Sequence, residues 1–123
     1  MAKPQGLGGK GEDLATAFLL ERGHEILARN FRSRFGEIDI ISKFGGFLCF
    51  IEVKTRNPSK NLTSGFEAVT HDKQLKIYKT AEYFIVKHPK LVEHDGLQPR
   101  FDCIEINVDE KVEISYLENA FEF

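Results

Sequence analysis

The chain has 123 residues, enough for one domain with one sizeable core. Its 41% hydrophobic and 29% charged residues exclude a disordered segment, and no apolar run approaches the ~18 residues of a membrane helix. Two cysteines, Cys49 and Cys103, supply neither a disulfide framework nor a zinc site of known spacing, so a reduced, cytoplasmic protein is expected.

A single domain over 1–123 is expected, with 1–10 read as a flexible arm. Leu14, Ala15, Phe18 and Leu19 then recur at helical spacing, and Gly23 supplies a C-terminal stop. A short extended stretch follows over 24–30. Residues 36–42 and 47–55 alternate as strands do. After a polar loop, 57–70, a second helix runs over 72–87; Ile77, Ala81, Phe84 and Ile85 form its stripe and Pro89 ends it. Strand-like runs over 100–108 and 112–117 close the chain around Asp109-Glu110-Lys111. The order α-β-β-β-α-β-β indicates an α/β domain with one mixed β-sheet flanked by helices.

The net charge of −2 conceals a polarity along the chain. Residues 54–79 hold six basic residues against two acidic, a balance of +4, whereas 93–123 hold two against nine, a balance of −7. A chain so divided can present a basic face to an anionic partner.

The informative stretch is Gly36-Glu37-Ile38-Asp39 together with Phe50-Ile51-Glu52-Val53-Lys54. A hairpin centred on Gly45-Gly46 pairs Phe44 with Phe47, and the same register sets Asp39 across from Glu52 and Glu37 across from Lys54. One face then carries Ile38, Ile40, Phe44, Phe47, Cys49, Ile51 and Val53 for a core. The other carries Glu37, Asp39, Glu52 and Lys54, with Ile41 and Phe50 beyond them. Opposed side chains have Cβ atoms only ~4.5–5.5 Å apart, so two carboxylates there need a cation between them. A hard divalent ion, Mg²⁺ or Mn²⁺, suits oxygen donors and supplies hydroxide for phosphodiester hydrolysis. Lys54, two residues beyond Glu52, shares its face and could steady the attacking water or a charged phosphoryl oxygen. The competing reading is a salt-bridge ladder in which Lys54 neutralises Glu37 and Glu52. Glu12, opening the first helix, continues the inward stripe of Ala15 and Leu19 and could join the acids; equally, it could simply complement the helix dipole.

These residues resemble the PD-(D/E)XK nuclease superfamily. More closely, the chain resembles the YraN-like bacterial proteins, predicted endonucleases related to archaeal Holliday-junction resolvases. The likeness runs nearly end to end, through Gly11-Glu12, Arg29-Asn30-Phe31-Arg32, the two strand motifs, Lys73-Gln74, Arg100-Phe101-Asp102 and Asn119-Ala120-Phe121. It implies a restriction-endonuclease-like fold, with Asp39, Glu52 and the Val53 carbonyl binding a divalent metal. It matches Glu12 to the first-helix glutamate of the resolvases and Lys54 to their catalytic lysine. Gln74 and Tyr78 fit the Q-x-x-x-Y spacing of some relatives; Ile38 stands where many carry proline.

The function expected is Mg²⁺-dependent endonucleolytic cleavage of branched or structured DNA during repair or recombination. Likeness to the resolvases also implies a homodimer. Arg29, Arg32, Arg34, Arg56, Lys73 and Gln74 are the expected nucleic-acid contacts, mainly to phosphates, and 57–70 a flap over the substrate. Two rivals stand beside this reading: a catalytically silent nucleic-acid-binding module of the same fold, and a protein-interaction domain using the acidic C-terminal segment.

Overall fold

The structure, a computed structural model, describes residues 7–56 and 70–122. Helix α1 (Leu7–Glu21) begins within the stretch expected as an arm, so Glu12 falls in its second turn, away from the first-turn N–H groups. Early winding has a packing reason: a Cβ on Gly11 would lie 1.8 Å from Thr55 Oγ1, so only glycine lets the helix seat this closely on the sheet. Strands β1 (Glu25–Ser33), β2 (Gly36–Phe44) and β3 (Phe47–Arg56) follow. Helix α2 (His71–Lys87) starts on the Thr70 cap, whose hydroxyl accepts the Lys73 N–H at 3.2 Å. A four-residue helix, α3 (Lys90–Glu93), comes after Pro89 and is too short to leave a periodic signal. Strands β4 (Gln98–Val108) and β5 (Val112–Phe121) complete the expected order.

The five strands form one sheet in chain order. All neighbours are antiparallel except β3 and β4, which run parallel and are joined through α2. The β2–β3 register is the one expected, from Phe44–Phe47 up to Ile40–Ile51. Gly45 alone of the turn glycines has positive φ, the II′ pattern of a two-residue hairpin loop.

Both faces of the sheet are buried, as flanking helices require. Ala15 and Leu19 of α1 pack on Ile40, Cys49, Ile51, Ile104 and Ile106. On the opposite face Ile77, Ala81 and Phe84 of α2 cover Ile41, Leu48, Phe50 and Phe101. Ile41 and Phe50, expected merely beyond the acids, are therefore core residues. Phe47 leaves the core instead: it is 37% exposed, with the Arg100 guanidinium 4.5 Å from its ring centre. Ile38 also changes sides, joining the α2 cluster while Ile40 joins that of α1. Regular alternation would put these two together, so β2 changes face at Asp39. Among the described residues no helix is long and apolar enough to cross a membrane.

Candidate active site

The change of face has a local cause on each side of Asp39. On β1, Asn30 lies between the Arg29–Ile40 and Phe31–Ile38 pairs and adopts φ +53°, a left-handed conformation that asparagine tolerates better than most residues. On β3, the paired ladder stops at Ile51. Beyond it Asp39 Oδ2 accepts the Val53 backbone N–H at 2.8 Å, so a side chain replaces a backbone partner.

That bond brings Asp39 beside Glu52, with which it shares a side-chain hydrogen bond. Burial pushes the Asp39 carboxyl up to about 8, and the charge of Glu52 pushes in the same direction; the Val53 N–H pulls only partly back. The Asp39 carboxyl thus keeps its proton to about neutral pH beside a second carboxyl, a crowding that a divalent ion would relieve. The expected juxtaposition is therefore present, on the α2 side of the sheet, in a cleft of about 540 Å³ that Gly36, Val53, Thr70, Lys73 and Lys76 also line.

The cation facing Glu52 is Lys73, not Lys54. Its Nζ lies 2.5 Å from Glu52 Oε2, while Glu37 pairs with Arg32 at 3.0 Å. The ladder through Lys54 does not form. Burial works against the Lys73 charge, but the hydrogen bond and charge of Glu52 outweigh it and raise its pKa. Lys54 follows Glu52 on the same strand face and lines a smaller hollow of about 250 Å³ with Glu52, Val53 and Lys73. Glu12 is held from the side by Arg29 at 3.9 Å, and its charge raises the Asp39 carboxyl less than that of Glu52 does. Among the described residues no group of three His, Cys, Asp or Glu stands ready to hold a metal, so the donors brought together are two carboxyls.

Of the expected phosphate contacts, Arg56 is turned inward. Its Nε meets the buried Glu105 carboxylate at 2.8 Å and its side chain is 11% exposed. Sequence pattern could not reveal this, because the partner comes from β4, paired in parallel forty-nine residues later. Arg29 binds Asp13 at 2.8 Å at the α1 edge. Arg34 lies over the Phe35 ring at 5.0 Å, and Arg32 is exposed. Gln74 is half-buried in the first turns of α2, next to Lys73. Tyr78 packs against the α2-side core with its ring centre 6.3 Å from that of Phe101. The flap expected over 57–70 lies outside the described residues apart from Thr70.

A second buried acid was not singled out as a centre of its own. Asp102 is fully buried and receives both Arg100 nitrogens (2.9 and 3.0 Å), the Tyr116 hydroxyl, and the Asn119 backbone N–H at 2.9 Å. The motifs Arg100-Phe101-Asp102 and Asn119-Ala120-Phe121, far apart in the chain, are two halves of this one cage.

The fold and site define an α/β domain with an acid pair where the central hairpin of its mixed sheet parts. The chain belongs to the uncharacterised protein family UPF0102, the YraN-like family, whose model matches residues 11–106. Among its relatives, a UPF0102 protein of Caldicellulosiruptor bescii is 47% identical over 116 residues, covering 90% of this chain and 92% of its own. One from Clostridium botulinum strain Hall is 43% identical over 119 residues, covering 94% of each chain. One from Chloroherpeton thalassium is 42% identical over 125 residues, covering 93% of this chain and 92% of its own.

Proposed function

We propose that the protein is a divalent-metal-dependent endonuclease of PD-(D/E)XK type acting on branched or structured DNA. The observation that supports it best is the Asp39–Glu52 pair, two carboxyls driven together and left without a full complement of positive partners. Oxygen donors of this kind fit Mg²⁺ or Mn²⁺, which proteins commonly hold through one or two carboxylates and substrate phosphates. Asp39 and Glu52 would hold the ion, with the Val53 carbonyl as a further oxygen and Glu12 at the margin. When bound, the ion polarises a phosphate and lowers the pKa of water.

The protein's own part is electrostatic and positional. Lys54, on the strand face of Glu52, would steady the attacking water and the charge developing on a phosphoryl oxygen. The α2 N-terminus and Lys76 line the same cleft, Lys76 paired with the exposed Asp72 at 3.6 Å, and would hold neighbouring phosphates without reading sequence once that surface pair opens. Arg29, Arg32, Arg34 and Gln74 remain candidate contacts at its margins, whereas Arg56 serves the fold. A homodimer offering two such clefts would suit a junction substrate.

The test is cleavage of labelled junction, flap and linear DNA with Mg²⁺, Mn²⁺ or EDTA. Wild type should cut with metal only. Asp39→Ala should abolish cutting, and Lys54→Ala should reduce it by about 10²–10³-fold. Cleavage persisting equally in both variants, or binding of every substrate with no cutting of any, overturns the proposal.

A further inference from the structure

Lys73 has a position that a simple phosphate contact does not need. Its Nζ is on the Glu52 carboxylate at 2.5 Å, yet its side chain is 49% exposed while that of Glu52 is 9% exposed. The acid is fixed by burial, whereas the ammonium hangs on a solvated four-carbon stem. Its backbone is anchored, since the Lys73 N–H donates to Thr70 Oγ1 at 3.2 Å in the first turn of α2. Lys73 can therefore change partners by rotating its side chain, with no shift of helix or strand. A place for an alternative partner is at hand: the same cleft is lined by Thr70 at the α2 N-terminus, which favours anions, and by Lys76 one turn on, paired with the exposed Asp72 at 3.6 Å, with Glu37 at its rim.

We propose that Lys73 is an exchangeable counter-ion of the acid pair. It neutralises Glu52 until a divalent cation takes that carboxylate, and then moves to a phosphate of the nucleic acid. This rests on the nuclease reading above and adds a coupling to it. An ammonium and a divalent ion repel each other and contend for one carboxylate, so Lys73 weakens metal binding by the protein alone. A phosphate that engages the displaced ammonium removes that competition. Metal and nucleic acid then strengthen each other's binding, by the same factor in either direction. Lys54 does not share this role, since no ion pair joins it to Glu52 among the described residues.

The experiment is Mn²⁺ titration of the full chain, followed by electron paramagnetic resonance, with and without a duplex carrying non-hydrolysable linkages. Lys73→Gln should bind Mn²⁺ alone roughly 5–10-fold more tightly than wild type. DNA should raise Mn²⁺ affinity more in wild type than in Lys73→Gln, and Lys73→Arg should resemble wild type. Thermal melting of each variant checks that it is folded. Mn²⁺ affinity of Lys73→Gln equal to or below that of wild type overturns the counter-ion role, even if Asp39→Asn still abolishes binding and the nuclease reading stands. If wild type and Asp39→Asn both fail to bind Mn²⁺, the nuclease reading fails and takes this inference with it.

Discussion

Asp39 and Asp102 are built alike and finished differently. Each sits on a strand beside an asparagine of positive φ, Asn30 at +53° and Asn119 at +52°, the two non-glycine residues of that kind among those described. Each accepts a backbone N–H from a neighbouring strand, from Val53 at 2.8 Å and from Asn119 at 2.9 Å. Asp102 then receives a bidentate arginine and a tyrosine hydroxyl, which drive the Arg100 and Tyr116 pKa values upward. Burial first, and then the hydrogen bond to Asp102, produces the Tyr116 shift. Asp39 instead receives another acid. The same strand irregularity serves structure where the charge is satisfied, and leaves two crowded carboxyls where it is not.

The largest expected effect falls on the satisfied acid. Asp102→Ala removes the shared acceptor of the Arg100 guanidinium, Tyr116 and Asn119, leaves Arg100 only Glu118 at 3.4 Å as a carboxylate partner, and should cost about 3–4 kcal/mol, or about 10 °C in thermal melting. A loss below about 1 kcal/mol would erase the contrast. Arg56→Ala strands Glu105 in the interior and should cost about 2–3 kcal/mol, without changing the salt dependence of DNA binding. A reduced salt slope in an otherwise stable variant would return Arg56 to the phosphate contacts.

Asp39→Asn should do the opposite and stabilise the protein in EDTA, by roughly 1–2 kcal/mol at pH 8. The sign follows from the raised pKa. Between about 4, where the unfolded carboxyl ionises, and about 8, the folded acid keeps a proton that the unfolded one has lost. Wild-type stability therefore falls with rising pH across this window, and the advantage of Asp39→Asn grows across it and levels above. Excess Mg²⁺ should raise the wild-type melting temperature and leave Asp39→Asn unmoved. The smallest effect is at the strand irregularity: Asn30→Ala should cost about 1 kcal/mol, and Asn30→Gly less, because glycine adopts positive φ freely.

This asymmetry also marks where sequence was readable. Helical and period-two patterns placed α1, α2, β2 and β3, because those residues bury a face, while β1 showed only as a short extended stretch and β4 and β5 as strand-like runs. The Gly45-Gly46 turn set the register that brings Asp39 to Glu52. That Ile41 and Phe50 join the core was hidden, since they look identical whether they meet solvent or α2. Only the competing ladder reading gave Glu52 a basic partner, Lys54 beside it in sequence, because the packing of α2 that carries Lys73 to the acid leaves no local signal. The Asp102 cage and the Arg56–Glu105 pair depend on the β3–β4 and β4–β5 pairings, which no local spacing announces.

Carbon-13 resonance of the Asp39 side-chain carboxyl, followed against pH with and without Mg²⁺, bears most directly on the crowded pair. Without the ion it should titrate near 8; with saturating Mg²⁺ it should remain ionised through neutral pH. An Asp39 that titrates near 4 in both conditions would mean the two acids need no cation, and the site as described would not exist.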